Sequence, residues 1–259
     1  MMDYKIEQLE SVLLFKIDRP EKRNAINYEV MDGLKEALEQ ARTNDEIKVL
    51  VITGAGTQSF CSGGDLQAFH GLKSQSEAYE MLSKMGGILY DLSTLPKITV
   101  ALINGTAIGG GCEIAAACDF RIARPNSKLG FIQGNLAITT GWGGGTLLYE
   151  RLVPSQALLL LTTAGLYKTE ELHDKGFIDH IVPGHTFNDV TNLLEPILLK
   201  NVHVLVAYKQ ILIEKWKRGD LQERIRLEIL ACSKLWEKPE HHEAVEGFLN
   251  SSSRKNTKS

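Results

Sequence analysis

Apolar residues in the first two thirds of the chain gather in short unbroken runs; after about residue 186 they recur at helical spacing. The runs Val12–Ile17, Val49–Gly54, Ile98–Ile103 and Phe120–Ala123 are too short for helices and read as buried strands. Residues 4–6 pair with the first of them across a turn near Glu10-Ser11, and 128–131 and 179–183 read as further strands. Between the runs, Val30, Met31, Leu34 and Leu38 share one face of a helix that Asn27 is placed to cap. Met81, Leu82, Met85, Ile88, Leu89 and Leu92 mark a second helix that Pro96 stops. Residues 147–152 and two short segments within 157–179 are helical. Alternation of this kind predicts a layered α/β core over residues 1–185. Val204, Tyr208, Ile211 and Leu212, then Ile225, Leu227, Leu230 and Leu235, predict an all-helical region over 186–250. The stretch 251–259 is polar and basic and reads as a frayed tail.

Glycine interrupts this pattern at three places. Gly109-Gly110-Gly111-Cys112-Glu113 follows a buried strand and the turn Asn104-Gly105, and opens a helix of small residues up to Cys118. Phe60-Cys61-Ser62-Gly63-Gly64-Asp65-Leu66 is a second strand-to-helix junction, and 141–146 a third cluster. A helix start after glycine presents backbone N–H groups with no acceptor, where an anion or a developing oxyanion fits. The junctions at Gly64 and Gly110 suggest two such donors aimed at one carbonyl oxygen, with Glu113 a proton-transfer group beside them; the plainer alternative is that these glycines only permit turns. Losing one such donor typically raises the barrier by roughly 3 kcal/mol.

Composition narrows the chemistry. A formal charge of −3, with acids and bases interspersed, implies no polyanion-binding face, so no nucleic-acid partner is expected. The four cysteines lack metal-ligand spacing and do not resemble a disulfide scaffold; buried thiols and a cytoplasmic setting fit them, and the histidines lack metal partners. The first residues carry no apolar signal core and no stretch is long enough to span a bilayer. Gly105 to Gly111 fails the spacing of a dinucleotide fingerprint, and no phosphate-loop Gly-Lys-Ser/Thr occurs. No metal and no permanently bound cofactor is expected.

The ordered segments Arg19-Pro20 to Asn24-Ala25-Ile26-Asn27, 60–66, 96–113, 117–123, 141–146 and Glu246-Gly247-Phe248 resemble the enoyl-CoA hydratase/isomerase (crotonase) superfamily. The resemblance implies an α/β crotonase-like (ClpP/crotonase) spiral of repeated β-β-α units. A C-terminal helical region would assemble a homotrimer or a dimer of trimers. It further implies that the N–H groups of Gly64 and Gly110 hold the oxygen of an acyl-CoA thioester, coenzyme A entering only as part of the substrate. Glu113 matches the first of two acids used by hydratases. Ala25, Cys61, Ser62, Leu66 and Gly109 fall in the substrate-binding segments, and Asp65 organises its junction. Lys22 and Arg23 either approach the CoA phosphates or form a solvated charge run; Arg254 and Lys255 are further candidates for phosphate.

One departure changes the expected chemistry. Gln133 stands where hydratases carry the second glutamate, and an amide cannot accept and return a proton. Residues 118–122, 131–133 and 141–144 are similar to an ethylmalonyl-CoA/methylmalonyl-CoA decarboxylase-like branch that also lacks that acid. Thr139, Thr140 and Gln133 are candidate polar groups for a substrate carboxylate, and Trp142 either lines the acyl pocket or packs in the core. The default expectation is 2-enoyl-CoA hydration through a stabilised enolate. Decarboxylation of a short branched malonyl-CoA or enoyl-CoA isomerisation is the alternative, and a weakly catalytic acyl-CoA or RNA-binding scaffold the second class.

Overall fold

The computed structural model describes residues 2–184 and 186–256, with side chains through 250. β1 (Tyr4–Leu9) and β2 (Val12–Ile17) form an antiparallel hairpin, and α1 (Tyr28–Thr43) follows, its Val30 amide capped by the Asn27 side chain at 3.0 Å. Three β-β-α units then repeat. The first is β3 (Val49–Gly54), β4 (Ser59–Cys61), α2 (Leu66–Phe69) and the long α3 (Gln75–Ser93). The second is β5 (Ile98–Ile103), β6 (Thr106–Ile108) and α4 (Gly110–Ala117). The third is β7 (Phe120–Ala123), β8 (Lys128–Gly130) and α5 (Gly144–Arg151). After α6 (Pro154–Thr163), β9 (Tyr167–Lys168), α7 (Thr169–Asp174) and β10 (His180–Ile181) complete the strands.

Each unit places its first strand in one sheet and its second in another. The larger sheet runs β1-β2-β3-β5-β7-β10 and the smaller β4-β6-β8-β9, parallel except at β1/β2 and β8/β9. The result is the layered α/β core read from the sequence, in the form of the β-β-α spiral that the resemblance implies. Burial on both faces explains the unbroken apolar runs. Leu50 and Ile52 face the main core, whereas Val49 and Val51 join Val12, Leu14, Val100, Leu102 and Ile122 beneath Val190 and Leu194. The second of these layers is roofed by α8 (Thr191–Leu198).

Two buried amides lock the corner between β3 and β4. Asn104 Nδ2 donates to the carbonyls of Gly54 and Gly56, both at 2.8 Å, and Asn24 Nδ2 donates to those of Ser59 at 2.7 Å and Ala55 at 3.0 Å. Leaving such groups unpaired costs about 1–3 kcal/mol each, so these asparagines fix the path into the first glycine junction.

The C-terminal region is helical as expected: α9 (Val202–Arg218), α10 (Leu221–Trp236) and α11 (Pro239–Asn256) follow α8. The backbone of 251–256 continues α11, so that part of the expected frayed tail is helix; the side chains of Arg254 and Lys255 lie outside the described residues. Among the described residues no single helix is long and apolar enough to cross a membrane. Only α8 with α9, bent by 95°, passes such a test as a pair.

Candidate active site

The parallel pairing of β4 with β6 brings the first two glycine junctions together. A methyl group added at Gly63 would lie 3.2 Å from both the Gly110 nitrogen and the Ile108 carbonyl oxygen, and Gly63 holds φ +93, which favours glycine. At Gly111 an added methyl would run into the Cys61 carbonyl. The Gly110 amide is in the first turn of α4 and has no acceptor within that helix. The Gly64 amide likewise finds no protein acceptor among the described residues, although its neighbours do: Asp65 N–H bonds Ile26 O at 2.8 Å and Ile26 N–H bonds Gly63 O at 2.8 Å.

The indole of Trp142 lies across both glycines. A methyl at Gly110 would overlap its six-membered ring, and one at Gly64 would sit 3.6 Å from Cζ2. Trp142 is buried and packs against both glycines, as its core reading expects.

Glu113, in the first turn of α4, is 2 % exposed. Gln133 Nε2 donates to its Oε1 at 2.8 Å, the amides of Trp142 and Gly144 each donate to Oε2 at 2.9 Å, and Gly141 N–H reaches Oε1 at 3.5 Å. Burial pushes the carboxyl up, repulsion from Glu228 adds to the rise, and the three amides oppose it, leaving it at about 7. The carboxyl is thus poised to hold or release a proton near neutral pH, the condition for acid–base work. Gln133 is itself buried, and its Oε1 has no hydrogen-bond partner.

The other sequence candidates divide by position. Asp65 caps α2 through Gln67 N–H at 2.9 Å and pairs with Arg19 Nη2 at 2.8 Å. Burial works against its charge, yet Arg19 and the Gln67 amide hold its carboxyl below the usual range. Arg19 also donates to the carbonyl of Ala25 at 2.7 Å, and Arg23 O accepts from Ser62 N–H at 3.1 Å, so one loop is clamped on the other. Lys22 is exposed and bonds Gln67, Arg23 is exposed, and Leu66 and Ser62 are half-buried at the rim. Cys61 is fully buried, and its thiol is pushed up to about 12, which keeps it inert. Gly109 adopts φ +56 with the Gln133 amide 3.8 Å from where its side chain would begin.

Thr139 is exposed and its carbonyl accepts from the Cys232 thiol at 3.3 Å. The Thr140 hydroxyl is already committed: it donates to Glu228 Oε1 at 2.6 Å and accepts from Gly145 N–H at 3.1 Å. Glu228, on α10, also accepts from the amides of Gly145 at 3.1 Å and Thr146 at 2.6 Å. Nothing in the local sequence marks it, because it reaches the site across more than eighty residues of chain. Arg19 was legible only as part of a motif. A cleft lined by Leu66, Phe69, Trp236, His241 and Val245 opens beside the junction, and Phe69 packs 3.2 Å from the Gly64 methyl position. Among the described residues no group of three or more His, Cys, Asp or Glu is arranged to hold a metal ion.

Comparison with known proteins gives the chain its relatives. The chain is 29% identical over 245 residues to crotonyl-CoA hydratase of Syntrophomonas wolfei, spanning 94% of each. It is 30% identical over 223 residues to ethylmalonyl-CoA decarboxylase of Xenopus laevis, covering 85% of this chain and 74% of that one. The crystal structure of enoyl-CoA hydratase from Bacillus halodurans superposes with a TM-score of 0.85 at 25% identity, over 95% of this chain and 99% of that one. The family model described as enoyl-CoA hydratase/isomerase matches residues 7–256, and the chain therefore belongs to that family, a crotonase-type lyase or isomerase acting on acyl-CoA thioesters.

Proposed function

We propose that the enzyme removes CO2 from a short, branched, carboxylated acyl-CoA of the methylmalonyl- or ethylmalonyl-CoA type. The thioester oxygen sits between the amides of Gly64 and Gly110, with the acyl group against Trp142. The Cα–carboxylate bond breaks, its electron pair passes into the thioester enolate, and the two N–H groups carry the charge on oxygen, each worth roughly 3 kcal/mol of barrier. The enolate Cα then takes the proton of Glu113, which solvent restores. The single observation that carries this reading is the Glu113–Gln133 pair: one carboxyl, poised near neutrality, faces an amide where a second acid would be needed to activate water. The likeness to ethylmalonyl-CoA decarboxylase supports it.

A second reading, 2-enoyl-CoA hydration, has its own observation. The unpartnered Oε1 of Gln133 is an acceptor able to hold a water, and the S. wolfei relative is a crotonyl-CoA hydratase. Assaying ethylmalonyl-CoA, methylmalonyl-CoA, crotonyl-CoA and a 3-enoyl-CoA side by side separates the two. Decarboxylation is expected to exceed hydration in kcat/KM by at least about a hundredfold, the low end of what one proton-transfer group contributes. Hydration as fast as decarboxylation would reject the first reading.

A further inference from the structure

The Gln133 side chain is held at one end only. Nε2 donates to Glu113 Oε1 at 2.8 Å, while Oε1 is buried with no hydrogen-bond partner among the described residues. The direction of the amide is therefore set by the backbone that carries it, a single 3-10 turn over Gln133–Leu136. That turn closes on Ala137, whose φ of +56 is left-handed backbone that an alanine adopts only where its surroundings hold it. Two side-chain bonds tie the turn to the rest of the fold. Asn135 Nδ2 donates to the carbonyl of Ala164 at the end of α6, at 2.8 Å. On the other side, Nδ1 of His241, in the first turns of α11, bonds the Leu136 carbonyl at 2.7 Å. A carbonyl only accepts, so Nδ1 carries the proton. His241 is 3 % exposed and its ring lies 4.6 Å from that of Trp236, whose Nε1 donates to Leu72 O at 2.9 Å. Burial draws the imidazole below its ordinary value; the Leu136 bond opposes this, and His242 and Lys73 add to it, which favours the neutral donor form.

We propose that His241 is a positioning residue for the Glu113–Gln133 pair: through its bond to Leu136 it fixes the turn from which the Gln133 amide reaches Glu113. It acts on the pair through the turn, not by touching Glu113. The same helix presents Val245 to the cleft that Leu66 and Phe69 line from α2, so one hydrogen bond joins the seating of α11 at the cleft to the alignment of the amide.

This role rests on the proposed chemistry at the Glu113–Gln133 pair, so one readout needs no turnover. Two variants separate the bond from the ring. His241→Phe keeps an aromatic ring beside Trp236 and removes the donor; His241→Asn keeps a donor near the Nδ1 position and removes the ring. The side-chain NH2 signal of Gln133, identified in 15N spectra of the full chain by its loss in Gln133→Met, is followed by hydrogen exchange. His241→Phe is expected to speed that exchange about tenfold, the loss of one hydrogen bond, and His241→Asn to leave it within about threefold of wild type. Exchange unchanged in His241→Phe, or as fast in His241→Asn as in His241→Phe, overturns the proposal. If His241→Phe melts too low to study, His241→Leu removes the donor in its place. Turnover supplies the second test, on whichever acyl-CoA the wild type converts. His241→Phe is expected to lower kcat about tenfold in the wild-type background but by less than about twofold in Gln133→Met, since a residue acting through Gln133 then has nothing to act on. Equal losses in both backgrounds overturn it. A wild type inert toward every acyl-CoA removes the proposed reaction, and exchange alone then decides the role of His241.

Discussion

Glu113 is the residue on which the chemistry turns, and its environment makes two outcomes calculable. Removing its proton in Glu113→Gln is expected to lower kcat by roughly 10²–10⁴, measured on whichever acyl-CoA the wild type turns over. The same group is linked to folding. Its carboxyl rises from 4.5 to about 7 on burial, so the native state holds more protons than the unfolded chain between those values. The stabilisation from that bound proton is complete below 4.5 and lost as pH rises through 7, a change on the order of 3 kcal/mol. Urea unfolding of wild type and Glu113→Gln across this range should therefore show the variant gaining relative stability as pH rises. Parallel curves would mean that Glu113 titrates normally. Glu228→Gln removes a repelling neighbour and is expected to move the Glu113 limb of the pH–rate profile downward; an unmoved limb would deny that coupling. Gln133→Glu restores a second acid and should raise crotonyl-CoA hydration. An already fast wild type with no gain would show that the amide is not what limits it.

At the scale of elements, the glycine junctions work because strands β4 and β6 pair and Trp142 closes over them. Gly110→Ala drives a methyl into the indole, and overpacking of this kind costs about 1–3 kcal/mol. Thermal melts should show that loss, and kcat should fall with it, since the shifted amide is a proposed oxyanion donor. Unchanged stability would contradict the close packing. Much of this layer was legible in the sequence. Strands β2, β3, β5 and β7 are buried on both faces and so appear as unbroken apolar runs, and the Asn27 cap stood where it forms its bond. Strands β6 and β9 were not legible: three and two residues carry no period, and β6 lies between a turn and a glycine run. The pairing of Glu113 with residue 133 followed from the family pattern. The hold of Glu228 on the α5 start did not, because only tertiary folding brings α10 there.

The whole molecule leaves a stripe on α9 uncovered. Val204, Tyr208 and Ile211 recur at helical spacing, with Tyr208 71% exposed and Ile211 69% exposed. The resemblance implies that this region assembles trimers, and sedimentation is expected to give three copies or twice that number. A charge placed there, as in Ile211→Glu, should produce a smaller species; a wild-type monomer would leave the stripe unexplained by assembly. Sequence periodicity placed these residues on one helix face but gave no means of separating seam from core, because both are apolar.

The most direct test is a structure of Glu113→Gln holding an intact acyl-CoA thioester. The account places the carbonyl oxygen within about 3 Å of both the Gly64 and Gly110 nitrogens, the ordinary length of an N–H to oxygen hydrogen bond. A carbonyl bound elsewhere, with either amide still empty, would contradict it.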